Sequence, residues 1–155
     1  ELDKNAVFSL AGQDNIMESI YYRHNAEIVL GKVASNFENA EPIRIWPHHF
    51  DTGTFIPLRY NTNDGISKSV GLGWAIPDDM VNEPYYYLSF WSEEPVEDFN
   101  ALPGLEAGEW IRSGWYGAVA RNSDIVRISS SSGQQAFVET FFNSGIRQLR
   151  EHYNL

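Results

Sequence analysis

From Asp14 onward, Met17, Ile20 and Tyr21, then Ala26, Val29, Leu30, Val33 and Phe37, recur at the spacing that places apolar side chains on one helical face. Asp14 suits the N-cap, and the helix is expected over about 14–37, ending near Asn36–Asn39 because Pro42 cannot lie deep inside it. Residues 1–13 carry no period, are interrupted by Gly12 and read as a lead-in. A second stripe, Val138, Phe141, Phe142, Gly145 and Leu149, predicts a C-terminal helix over about 133–152. Ser132 with Gln135 has capping-box spacing at its start, and Arg147, Arg150 and His152 suit the negative end of its dipole.

Between the helices, Gly and Pro punctuate segments rich in aromatic and β-branched residues, the pattern of strands. Arg44–Phe50 and Thr54–Tyr60 read as one extended run, broken or bulged at Asp51-Thr52-Gly53. Asn61-Thr62-Asn63-Asp64-Gly65 is a turn, with Ser67–Ala75 returning as the antiparallel partner. Ile76–Pro84 is a loop, Tyr85–Trp91 a strand, and Ser92–Glu109 a longer acidic connection. Trp110–Arg121 is expected as one strand and Ile125–Ser129 as a short further one. Helix, strands, helix in that order predicts a single α+β domain over 1–155, with an antiparallel sheet of four to six strands and both helices on one face.

Composition narrows the function classes. Net charge is -10, and a surface so acidic excludes a phosphate backbone or an anionic membrane surface as a natural partner. Without cysteine there is no disulfide, zinc–thiolate site or thiol nucleophile. No apolar run approaches a membrane span, and a cytoplasmic location is expected, although a chain beginning at Glu1 rather than Met leaves room for a removed leader. Five Trp, eight Tyr and nine Phe exceed what one small core needs, which points to aromatic walls at a pocket or an interface.

Chemistry concentrates in Trp46-Pro47-His48-His49-Phe50-Asp51. In a regular strand His48 shares a face with Trp46 and Phe50, and His49 shares one with Ile45 and Asp51, so the two imidazoles diverge and no metal site is expected. His49 beside Asp51 has the make-up of a general base with its orienting carboxylate. Glu83, Tyr85 and Tyr87 follow on a common face, and Pro84 fixes the direction in which Glu83 leaves the chain. Trp115, between Gly114 and Gly117, offers a ring for stacking or for packing on bare backbone. Gly71-Leu72-Gly73 lacks the remaining features of a dinucleotide fingerprint, and Asp78-Asp79 and Glu93-Glu94 read as solvated loop charges.

These motifs, with Gly71-Leu72-Gly73-Trp74 and Gly114-Trp115-Tyr116-Gly117-Ala118, resemble an uncharacterised group of bacterial proteins that carry W-P-x-H-F-D-like and E-P-Y-x-Y-like strands. The likeness spans residues 43–120. It implies that Trp46, Phe50, Asp51, Glu83, Pro84 and Tyr85 belong to one structural unit. Longer proteins of that kind have an additional N-terminal region, and a small residue and a serine stand where His48 and His49 stand here. The resemblance thus shifts weight from the histidines to Trp46, Phe50 and Asp51.

The expectation is a binding domain for a small polar or cationic molecule, held in an aromatic, acidic cleft lined by Trp46, His48, His49, Asp51, Glu83, Tyr85, Tyr87 and Trp115, with no cofactor. One alternative is a protein-interaction domain, such as a homodimer, that covers its aromatic sheet face. The other is a hydrolase or isomerase-like enzyme with His49 as base and Asp51 or Glu83 orienting it.

Overall fold

A tight reversal at Pro47–Phe50 sets the register of the sheet. In the computed structural model, which describes residues 13–47 and 49–155, Phe50 takes a left-handed φ of 52° and Trp46 lies directly opposite Asp51. The run expected to extend from Arg44 to Tyr60, broken or bulged at 51–53, therefore splits into β1 (Arg44–Trp46) and β2 (Asp51–Tyr60), a hairpin instead of a bulged strand. Arg23 holds the reversal from outside, donating hydrogen bonds to the Phe50 carbonyl and, at 2.8 Å, to Thr52 Oγ1.

Three more antiparallel pairings continue the sheet through β3 (Ile66–Ala75), β4 (Tyr85–Ser92) and β6 (Gly117–Arg121), and β5 (Glu109–Ile111) closes it in the order β1-β2-β3-β4-β6-β5. The Asn61–Gly65 turn forms as expected: Asn61 Oδ1 accepts from the Asn63 and Gly65 N–H groups, and Asp64 takes the left-handed position. The strand expected over 110–121 is instead a hairpin, broken over 112–116 with Gly114 at a φ of +75°. Both edge strands are three residues long, which limits pairing with another sheet.

Helix α1 (Gln13–Ala34) and helix α3 (Ser131–His152) pack on one face of the sheet. Ala26, Val29, Leu30 and Val33 meet Leu72, Trp74, Phe141, Phe142 and Leu149 in one core. The upstream part of the first stripe departs from expectation, for Met17, Ile20 and Tyr21 are exposed. Asp14, expected as the N-cap, falls within the helix, and its side chain lies outside the described part, as do residues 1–12 of the lead-in. At the other helix the cap is Ser130, whose side chain accepts from the Gly133 N–H, two residues before the expected Ser132. The short strand expected over 125–129 is absent among the described residues; Asn122–Ile125 forms a one-turn helix, α2. No described helix is long and apolar enough to cross a membrane.

Candidate functional site

No described helix packs on the opposite face of the sheet, which covers itself with its own rings. In β3 and β4, Ala75 pairs with Tyr85, Gly73 with Tyr87 and Gly71 with Ser89, so these side chains form rows on that face. Gly53 of β2 pairs with Gly73, which leaves backbone bare beside Tyr87. The phenol fills that space: a Cβ on Gly73 would stand 2.5 Å from Tyr87 Cζ and Oη, and one on Gly53 would stand 2.8 Å from Oη. Trp115 lies over Gly117 in the same manner, and with Ile111, Tyr87, Val81, Tyr85, Ala75 and Val119 it forms a second, smaller apolar cluster.

Two phenol–carboxylate pairs stand at one end of this face. The Tyr87 hydroxyl donates to Asp51 Oδ2, and the Tyr85 hydroxyl donates to Asp78 Oδ2 at 2.6 Å. The two rings are 6.5 Å apart and tilted by 58°. Asp78 Oδ1 accepts from the Met80 and Val81 N–H groups, so the loop folds back over the strand it precedes. Burial acts to raise the Asp78 carboxyl, but the bonds from Tyr85, Val81 and Met80 and the nearness of His49 outweigh it and hold the group below its ordinary value. Burial pushes the Tyr85 and Tyr87 hydroxyls far above the usual phenol range, reinforced by the carboxylate each one bonds. Both phenols therefore remain donors at any physiological pH and supply no phenolate base or nucleophile.

The structure brings together four of the residues expected at the site and sets Glu83 apart from them. Trp46 is opposite Asp51 in the hairpin and hence on its face, where strand parity had put Ile45 and His49. Asp51, Tyr85 and Tyr87 meet as described. His49 is in the exposed reversal, close enough to Asp78 to lower its carboxyl. His48 lies outside the described residues. Trp115 belongs to the same face but is spent on packing over Gly117. Glu83 departs altogether: β4 begins only at Tyr85, and the Glu83 carboxylate accepts from Ser123 N at 2.6 Å and from Ser123 Oγ at 3.0 Å, at the start of α2.

Asp78 takes the place expected of Glu83: it is an exposed loop charge, as the sequence suggests, but both its oxygens accept hydrogen bonds. Its signal in the sequence is faint: a carboxylate just after Pro77, with Val81 three residues on, is the make-up of a side-chain-capped turn. Among the described residues no three His, Asp or Glu side chains are grouped as metal ligands. No family model, curated protein or solved structure matches the chain.

Proposed function

We propose that the chain is a binding domain for a small cationic molecule, taken up where Asp51, Asp78, Tyr85 and Tyr87 meet. Asp51 carries the reading. Its side chain is buried, at 8% relative exposure, one oxygen is held by Tyr87, and no Lys or Arg among the described residues forms an ion pair with it. A desolvated carboxylate with no Lys or Arg against it costs free energy that a bound cation recovers. The faces of Trp46, Tyr85 and Tyr87 supply the quadrupole that attracts such a cation, and a net charge of -10 concentrates cations near the surface.

Enzyme chemistry draws less support. The two carboxylates expected to orient a histidine base serve as acceptors to other groups, Asp51 to Tyr87 and Glu83 to Ser123.

Titration with choline, followed through the backbone amides of Gly53, Gly73 and Tyr87 by NMR, tests the reading. Choline is expected to shift these amides, its neutral isostere 3,3-dimethylbutanol to shift them much less, and Asp51→Asn to abolish the difference. Equal responses to the two compounds would sink the proposal.

A second reading has one observation in its favour. Phe50, Ile76 and Met80 are large, apolar and exposed at this same end of the sheet, as a surface covered by another chain would be. On that reading the chain self-associates, and light scattering over a dilution series detects a dimer that Phe50→Ser dissolves. A monomer at every concentration removes it.

A further inference from the structure

On the helix face, a pocket of about 350 Å³ opens between α1, α2 and α3, remote from the acidic pairs. Tyr86 forms part of its inner wall. That residue is 6% exposed, its ring meets Phe142 edge-on at 6.0 Å, and its hydroxyl has no hydrogen-bond partner among the described residues. The other two phenols of β4 each have one: Tyr85 bonds Asp78 and Tyr87 bonds Asp51. The hydroxyl is not among the fully buried polar atoms that lack a partner, so it opens to the pocket and is available to a molecule that enters it.

The lining has a defined polarity. Gln134 Nε2 donates to the Ile128 carbonyl at 3.0 Å and Gln135 Nε2 donates to Glu139 at 2.8 Å. These bonds occupy the amide nitrogens, and neither carboxamide oxygen accepts from a described residue, which leaves both as acceptors on residues that line the pocket. Tyr86, whose hydroxyl burial and the neighbouring Tyr22 phenol push far above the usual range, is a permanent donor. No Lys or Arg lines the pocket and Glu18 stands in it, which disfavours anions. Val29 and Val138 supply apolar walls, and the volume suits one or two fused rings.

We propose that this pocket is a second binding site, for an uncharged planar ring compound with a lactam-type edge, its carbonyl accepting from Tyr86 Oη and its N–H donating to the Gln134 or Gln135 carboxamide. The site is independent of the cation reading and survives its failure.

The probes are 2-quinolone, N-methyl-2-quinolone, which lacks the N–H, and quinoline-2-carboxylate, which is anionic. In NMR titrations of the full chain, 2-quinolone is expected to shift the side-chain amide signals of Gln134 and Gln135 at millimolar concentration. The N-methyl compound and Tyr86→Phe should each weaken binding about tenfold, and the carboxylate should not bind. Ile28→Trp, at a pocket residue 48% exposed and hence tolerant of size, should block binding while the fold stays intact. Asp51→Asn should have no effect. Thermal unfolding of Tyr86→Phe without ligand gives a readout that needs no probe: the variant should be as stable as the parent or more so. No shift with 2-quinolone, unchanged affinity in Tyr86→Phe, or a clear loss of stability in that variant would each overturn the proposal.

Discussion

Tyr87 on β4 reaches Asp51 on β2 by laying its ring across the intervening strand, which the absence of a side chain at Gly73 permits. A hydrogen bond that spans a whole strand couples three neighbouring strands through one phenol. With a charged acceptor at a site 8% exposed, it belongs to the stronger class, about 1.5–3 kcal/mol. Tyr87→Phe is expected to destabilise by that amount, and Tyr87→Phe with Asp51→Asn by clearly less than the sum of the two single changes. Urea denaturation of the four chains of this cycle measures the coupling; additive losses would mean that the contact contributes nothing.

Gly73 is subject to the same geometry. It does not need glycine for its backbone, since its φ is not positive, and the nearest obstacle to an alanine Cβ is the phenol. Gly73→Ala is expected to cost about 1–3 kcal/mol through overpacking. In a Tyr87→Ala background the obstacle is gone, and the same change should be neutral or slightly stabilising because alanine restricts the unfolded chain. If the cost of Gly73→Ala is the same in both backgrounds, the ring is not what reserves the position for glycine.

Glu83 serves the fold by capping α2 through the Ser123 N–H and hydroxyl. Glu83→Ala should cost about 1–2 kcal/mol, and Ser123→Ala about half of that, since it removes one of the two bonds. Neither should change the response to choline. A choline response lost in Glu83→Ala, with unfolding unaffected, would return Glu83 to the binding site.

The parts of the fold legible in the sequence are those fixed by local period. Val29–Val33, Val138–Leu149 and Tyr85–Phe90 alternate or recur as their burial requires. The reversal at 47–50 is not legible, because no glycine marks it: Phe50 adopts the left-handed conformation while its carbonyl is held by Arg23, a partner 27 residues away. Every parity argument across Trp46–Asp51 fails with it, and Asp51 moves to the face of Trp46. Met17, Ile20 and Tyr21 continue a helical period with no sheet beneath them to bury it. Gly114 was visible as a glycine, but whether it packs or turns depends on its φ, which the sequence does not display. Asp78 and Tyr85 are seven residues apart in a loop whose fold-back is decided by their own hydrogen bond, so neither one signals the other in advance.

Alkaline titration reads the buried phenols directly. Tyr85, Tyr86 and Tyr87 are raised in the folded chain, chiefly by burial, whereas in the unfolded chain they titrate near the ordinary phenol value of about 10. The sign follows from linkage: below about pH 10 both states keep the protons and stability is intact, while above it only the unfolded state gives them up, so stability falls as pH rises. Phenolate absorbance from these three residues should thus appear only together with the loss of the circular-dichroism signal, in one cooperative transition. Tyr86→Phe offers the cleanest check, since its hydroxyl bonds no described residue. The variant should move the alkaline midpoint upward without lowering stability at neutral pH. Phenolate absorbance from all eight tyrosines in a chain that is still folded, or an unmoved midpoint in Tyr86→Phe, would show that burial does not suppress their ionisation.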